Sequence, residues 1–326
     1  MSMADVAARA GVSGQTVSRV VNASPRVDAA TRSRVETAMA ELGYRPHRAA
    51  RALRTGRTQT IGLVAATLAS VGNSRMLQAV ADAAAARGYA VVVVRLGKSG
   101  RIDDAFDRLL DQGVDGAIVL NEATERVRGR VAPVGLRLVV VDSPGDDRFA
   151  VVQTAHADSA RSAVAHLLAL GHQTVRHLAG PVGSFAAHER ERGWRGALAD
   201  AGAHAPEVLR GDWTAASGHR IGAVLAADPG VTAVFAANDQ MALGLLRALA
   251  DAGRRVPEDV SVVGFDDVAD AAEYRPPLTT VRQDFDALGR HAVAALVGAI
   301  EGDPRRAEVV PAQLVVRAST APPPAP

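Results

Sequence analysis

Three observations predict a small all-α head joined through a hinge to a large α/β body. Residues 1–45 carry three short apolar stripes at helical spacing, punctuated by Gly11 and Gly43. From Thr60 onward, apolar runs of strand length alternate with helical segments, a pattern that implies a parallel sheet covered on both faces. Segment 46–57, with Arg48, Arg51, Arg54 and Arg57, fits neither pattern and reads as the connection.

In the head, Ser2 and Asp5 form a capping pair ahead of a helix that runs to about Ala10, with Val6, Ala7 and Ala10 on one face. Gly11 ends it. Ser13 caps a second helix with Val17, Val20 and Val21 as its buried stripe. Two short helices around a Gly-containing turn make a helix-turn-helix signature. Asp28 caps a third, where Val35, Ala38, Met39 and Leu42 fall at helical spacing before Gly43. Three facing stripes make a core for about 45 residues, near the lower limit for independent folding.

In the hinge, Pro46 suits the first turn of a helix and Gly56 can end one. A helix of about two turns is marginal in water, and its arginines point to a polyanion as the partner that orders it. Beyond it, strands are expected at 60–64, 90–95, 115–120, 137–141, 174–178, 232–236 and 260–265, with helices at 76–87, 155–170, 217–227 and 241–252. Residues 321–326, rich in proline, read as a disordered tail.

Net charge is +2, but residues 1–57 hold ten Arg against four Asp or Glu, so the head carries +6 and the remainder −4. A basic head suggests nucleic acid; the plainer reading is a solvated face. If the second helix enters a major groove, Gln15, Thr16 and Arg19 lie where side chains reach base edges, each good bidentate pair giving about 1–3 kcal/mol of discrimination. Contact with phosphate, above all for Thr16 and Ser18, is the alternative. No apolar run approaches the ~18 residues of a membrane span, and the N-terminus lacks a signal-peptide pattern, so a cytoplasmic protein is expected. The chain has no cysteine, which removes disulfides, thiolate metal sites and cysteine nucleophiles. No cofactor or metal is expected, and the nine scattered histidines read mostly as surface or cap residues.

Asp5-Val6-Ala7, Ala10-Gly11-Val12-Ser13, Thr16-Val17-Ser18-Arg19-Val20-Val21-Asn22, Thr31-Arg32, Leu42-Gly43-Tyr44 and Ala50-Arg51 with Leu53 resemble the head and hinge of the LacI/GalR family of bacterial transcription repressors. The resemblance continues through Gly180-Pro181, Gly211-Asp212-Trp213, Ala237-Asn238-Asp239-Gln240-Met241-Ala242, Ser261 to Asp267 and Pro276 to Phe285. It implies a small all-α helix-turn-helix head (1–45), a hinge helix and linker (46–59), and a two-lobed α/β domain of the periplasmic-binding-protein type (60–320). The chain would cross between lobes near 142–155, 284 and 311. It further implies a DNA-binding set of Ser13, Gly14, Gln15, Thr16, Ser18, Arg19, Asn22, Tyr44, His47, Arg48, Ala50 and Leu53, with Leu53 wedged into the operator's minor groove. His47 stands where the family usually has Asn, and Gly14 where lactose-responsive members have Tyr.

Asp142, Asn238 and Asp266 follow apolar strands, and in an open α/β sheet strand carboxyl ends face the ligand cleft. Carboxylates accept from paired hydroxyls, an arginine donates in a fixed fork, and an aromatic ring covers the apolar face of a pyranose. Arg190, Trp213 and Phe285 supply the fork and the rings, and the resemblance adds Gln283. The rings could instead be core, and Asp142 or Asp266 helix caps. Ala66 and Thr154 depart from the lactose-responsive pattern, which has Ser and an aromatic there.

The resulting expectation is a repressor, not an enzyme, whose hold on a pseudo-palindromic double-stranded operator is controlled by a galactose-like or β-galactoside inducer. Alternatives are a relative answering another sugar or a corepressor, a sugar-binding protein that leaves DNA alone, or a glycoside hydrolase using Asp142 and Asp266. One head reads too few base pairs to be specific, so a homodimer is expected; the ending at Pro326 leaves no room for the leucine heptad that makes some members tetramers.

Overall fold

The computed structural model describes residues 1–21, 24–44, 56–96, 100–127, 130, 132–145, 148–302 and 307–325. The chain divides into two compact units, Met1–Gln59 and Thr60–Pro326.

In the first unit α1 (Met3–Ala10), α2 (Gly14–Val21) and α3 (Ala29–Glu41) match the three expected helices. Ser2 and Asp5 form a reciprocal capping box. Ser13 Oγ accepts from Thr16 N at 3.2 Å and Asp28 Oδ1 from Thr31 N at 2.8 Å, so each helix start has a side chain on an otherwise orphaned N–H. Gly11 ends α1 at φ 64°, a left-handed turn that costs glycine little. Val6, Val17 and Val35 are fully buried and meet Val20, Ala38 and Tyr44, while Val21, Met39 and Leu42 pack at the margin of this core.

The second unit contains two parallel sheets. One joins β1 (Thr60–Ala65), β2 (Ala90–Arg95), β3 (Gly116–Leu120), β4 (Arg137–Val141), β5 (Ala150–Thr154) and β11 (Glu308–Val310) in the order β11-β5-β4-β3-β1-β2. The other joins β6 (Arg176–Ala179), β7 (Leu209–Arg210), β8 (Ala233–Ala236), β9 (Ser261–Asp266), β10 (Thr279–Arg282) and β12 (Gln313–Val315) in the order β12-β10-β9-β8-β6-β7, with β12 antiparallel to β10. The helices that cover them are α4 (Val71–Ala85), α5 (Ile102–Asp111), α6 (His156–Ala169), α7 (Phe185–Asp200), α8 (Ala215–Ala226), α9 (Asp239–Asp251) and α10 (Phe285–Glu301).

Alternation along the strands splits each lobe's core in two. Ile118 and Leu120 of β3 face Met76, Val80, Leu288 and Leu296 of α4 and α10. Ala117 and Val119 face Ile102, Phe106 and Leu109 of α5. In the second lobe Val234 and Val262 meet Leu245 and Leu249 of α9, and Phe235 and Val263 meet Leu167, Trp194 and Leu198.

The chain crosses between lobes three times: after β5 at Ala155, between β10 and α10 at Gln283 and Asp284, and between β11 and β12 at Pro311 and Ala312. The strand ends and the crossings therefore border one cleft.

Two expectations change. The helix expected at 76–87 spans Val71–Ala85, with Ser70 before it; Gly72 and Asn73 are weak helix formers, but Asn73 is buried there with its amide donating to Thr67 O at 2.9 Å, a tertiary context that outweighs propensity. Ala321, at the start of the expected loose tail, is anchored: its N donates to Ser261 Oγ at 3.0 Å, and its O lies 3.0 Å from His172 Nε2. Histidines 188, 204, 219 and 291 are exposed, in line with the expectation that most lie at the surface, while 156, 172 and 177 are buried beside polar or aromatic neighbours.

Candidate functional site

On the head, α2 turns Gln15 and Arg19 to solvent together with Ser13 and Gly14, while Thr16 and Ser18 are half-buried. The Thr16 hydroxyl is 3.0 Å from Ser13 Oγ, so both take part in the helix start. A side chain at Gly14 would meet nothing within 4 Å, so the absence of a ring there is not forced by packing within the head. Tyr44 packs into the head core at 9% exposure. Asn22, His47, Arg48, Ala50 and Leu53 lie outside the described residues.

The cleft brings together all seven residues expected there: Asp142, Arg190, Trp213, Asn238, Asp266, Gln283 and Phe285 all line it. They arrive from the ends of β4, β8, β9 and β10, the second turn of α7, the start of α10 and the turn before α8. Four cleft residues, Asn121, Asp142, Trp213 and Asp266, adopt positive φ (46°, 54°, 72° and 117°). Such backbone is costly for non-glycine residues and persists where the surroundings impose it, which is commonest at functional sites.

At the centre is a closed ring of polar contacts. Asp142 Oδ1 accepts from Thr154 N at 3.2 Å and sits 2.9 Å from His156 Nε2, although the ring N–H points off that line. The other ring nitrogen, His156 Nδ1, receives Arg190 Nε at 3.4 Å, and Arg190 Nη2 lies 3.5 Å from Asp266 Oδ1. Gln283 Nε2 donates to Asp266 Oδ1 at 2.7 Å, and Gln283 Oε1 accepts from the Thr154 hydroxyl at 2.7 Å, which returns the circuit to its start. Asp142 and Thr154 belong to the first lobe and His156, Arg190 and Asp266 to the second, so the ring spans the first two crossings. Neither Asp142 nor Asp266 caps a helix; Asn238 and Asp284 do.

Electrostatics keep the ring polarised. Burial pushes the Asp142 carboxyl up, but the pull of His156, hydrogen bonds and the Arg190 charge outweigh it and hold the group below the usual carboxylate value. Burial pushes Asp266 above that value despite Arg190 and Gln283. Beneath Asp266, Asp239 is raised to about 8 by burial and by the Asp266 charge, and accepts from Thr280 Oγ1 at 2.6 Å and Val268 N at 2.9 Å. The Arg190 guanidinium also donates to the Ala237 carbonyl and lies 3.8 Å above the Phe265 ring and 5.6 Å from that of Trp213.

Trp213 and Phe285 each do two things. Phe285 belongs to the first lobe's core and lines the cleft. Trp213 packs beside the second lobe's core, lies so close to Gly180 that an added β-carbon would sit 2.3 Å from the ring, and donates its indole N–H to Glu122 Oε1 across the cleft at 3.0 Å. Asn238 has less to offer than expected: its oxygen caps α9 through Met241 N at 2.9 Å, and its amide nitrogen serves Trp213 O and Gln240 Oε1. The cleft offers about 50 Å³ of cavity volume, far below the ~300–1,000 Å³ of ligand pockets. Admitting a sugar requires the lobes to part or Trp213 to swing. A larger cavity of about 520 Å³ lies behind the Gln283–Phe285 crossing, lined by Arg75, Arg282, His291 and Glu308 among others.

Comparison with known proteins places this geometry. Residues 2–47 match the description "Bacterial regulatory proteins, lacI family", and residues 164–320 match "Periplasmic binding protein-like domain". The Lactose operon repressor of Escherichia coli K12 is 38% identical over 98% of this chain and 91% of its own length. The chain belongs to the LacI family. The regulator CelR of Thermobifida fusca is also 38% identical, over 91% of each chain. Among solved structures, the lac repressor dimer bound to operator and the anti-inducer ONPF superposes with a TM-score of 0.86, covering 98% of this chain and 99% of that one. A CelR–cellobiose complex superposes at 0.73 with 35% identity, covering 98% and 99%.

Thr154, marked in the sequence as a departure from the lactose-responsive pattern, closes the ring through its hydroxyl onto Gln283. Sequence reasoning missed His156, Glu122 and Phe265. His156 opens a helix two residues after a strand end, which is a signal of cleft position. Phe265 sits within the same strand end that pointed to Asp266. Glu122 lies in a short turn after β3, where no periodicity singles it out.

Proposed function

We propose that this chain is a DNA-binding transcription repressor whose operator affinity is set by a small sugar held between the two lobes. The observation that carries the proposal is the convergence of the seven expected effector residues on one cleft, in a chain that also bears a LacI-type head. Asp142, Asp266 and Gln283 would meet sugar hydroxyls, Arg190 would donate in its fork, and Trp213 and Phe285 would flank the apolar face. Asn238 would act chiefly by positioning Trp213.

In the head, Gln15 and Arg19 would read base edges, Ser13, Thr16 and Ser18 would serve position, and the hinge with Leu53 would complete the contact. Two copies on a pseudo-palindrome supply the specificity that one head lacks, so a homodimer is the working form. Domain limits at 45/46 and 59/60 follow from this reading. The sugar acts through differential affinity for two lobe arrangements, with coupling of about 1–3 kcal/mol typical of allosteric proteins.

A hydrolase finds less support, because both carboxylates of the imagined pair are engaged in the ring and are linked through His156 and Arg190. The test is a screen of neutral sugars for a rise in melting temperature, followed by operator binding with and without each hit. A stabilising sugar that changes operator affinity is the expected result. Hits that leave operator binding unchanged, or turnover of a chromogenic glycoside, would overturn the proposal.

A further inference from the structure

The two lobes touch across the cleft at a point away from the crossings. There the Trp213 indole N–H of the second lobe donates to Glu122 Oε1 of the first at 3.0 Å. Both partners are held from behind. The Trp213 ring lies against Gly180, Asn238 Nδ2 donates to the Trp213 carbonyl at 3.1 Å, and the Arg190 guanidinium stands 5.6 Å from the ring. Trp213 keeps a left-handed backbone at φ 72°, a conformation that persists only where its surroundings impose it. On the other side Glu122 belongs to the short turn Asn121–Arg126, which Asn121 enters at φ 46°. The Thr124 hydroxyl donates to the Asn121 carbonyl at 2.7 Å, and the Asn121 side-chain amide donates to the buried Asn73 of α4.

With this bond made, the cleft keeps about 50 Å³, against ~300–1,000 Å³ for ligand pockets. Glu122 and Trp213 both line it, so the bond and a bound ligand exclude one another. A hydrogen bond to a carboxylate is among the stronger kinds. The second Glu122 oxygen, Oε2, is however shut off from solvent with no hydrogen-bond partner, which costs a comparable amount. Parting the lobes frees the carboxylate to take donors from water. The two effects offset, and the contact holds the lobes together with a small net preference. That is the energetic condition for a two-state element that a ligand can shift.

We infer that Glu122 and Trp213 form a clasp that closes the cleft, and that an effector binds only by opening it. Occupancy of the cleft and the clasped arrangement of the lobes are then alternatives, which is what lets a bound molecule act on operator affinity. The clasp stands on the contact itself; that its competitor is a sugar rests on the cleft reading above.

The chain has no cysteine and two tryptophans, so a single bimane label can report the clasp in the full-length protein. Ala69→Cys places it at an exposed position beside Ser70, which lines the cleft with Trp213. Indole quenches bimane only at short range, and Trp194 is fully buried in the second lobe's core. The label should be at least about twofold dimmer than in the same protein carrying Trp213→Phe, as a mostly clasped population requires. Glu122→Ala should restore the brightness, whereas Glu122→Gln, which keeps an oxygen for the indole, should stay near the parent. A label that is not quenched in the parent, one that Glu122→Ala leaves quenched, or a Gln variant as bright as the Ala variant would overturn the clasp. Galactose, methyl β-galactoside, glucose and methyl β-glucoside are then added in turn. A sugar that raises the melting temperature should brighten the parent's label; one that does so and leaves it quenched would overturn the competition. If Glu122→Ala brightens the label and no sugar binds, the clasp stands and the sugar-cleft reading alone falls.

Discussion

Thr154→Val is the sharpest probe of the polar ring. Threonine and valine have nearly the same shape, so the change removes one hydroxyl and opens no cavity. That hydroxyl donates to Gln283 Oε1 at 2.7 Å between residues only 3% and 8% exposed. Its loss strands a buried carbonyl oxygen, at a cost of about 1–3 kcal/mol. For a domain of this size each kcal/mol moves the melting temperature by about 2–4 °C, so a fall of roughly 2–12 °C is expected. Gln283 remains tethered to Asp266 by its amide nitrogen, so the fold survives. Sugar affinity should nonetheless weaken by up to about tenfold, because one side of the amide is no longer held. Urea melts at constant m-value, with thermal melts and sugar titration, provide the readout. A double-mutant cycle with Gln283→Met should show coupling of at least about 0.5 kcal/mol. A Thr154→Val protein as stable as the parent, with no coupling in the cycle, would refute the claim that this bond joins the crossings.

Other outcomes follow from the same structure. Asp239 is held at about 8 against an ordinary 3.8, so the folded chain binds that proton more tightly than the unfolded chain. Stability should therefore fall as pH rises from about 4 to about 8, and Asp239→Asn should flatten that slope; equal slopes in urea melts would sink the assignment. Gly193→Ala places a β-carbon 2.1 Å from the Ala157 carbonyl where α7 crosses α6. It should cost about 1–3 kcal/mol or more by overpacking, and a neutral effect would show the crossing to be looser than it looks. In the hinge, Leu53→Ala should leave sugar binding intact but lower operator affinity and bending; operator binding as tight as the parent's would remove the hinge from the mechanism.

The sequence by itself determined the helices of the head, because caps and stripes act over three or four residues: Ser2, Ser13 and Asp28 each start a helix where expected. Alternating strand and helix likewise predicted the parallel sheets, and a polar residue after an apolar strand was enough to mark Asp142 and Asp266. The family resemblance supplied the lobes and Gln283. Tertiary structure alone decided who partners whom. Thr154 and Gln283 are 129 positions apart and Glu122 and Trp213 are 91 apart, and no local rule carries information over that distance. The same limit explains the tail, where proline content suggested disorder but Ser261 and His172 hold Ala321 in place. It also explains Asn238, whose place at a strand end was legible while its commitment to α9 and Trp213 was not. Chain pattern sets which elements form; the meeting of two lobes sets which of their polar groups remain free to bind.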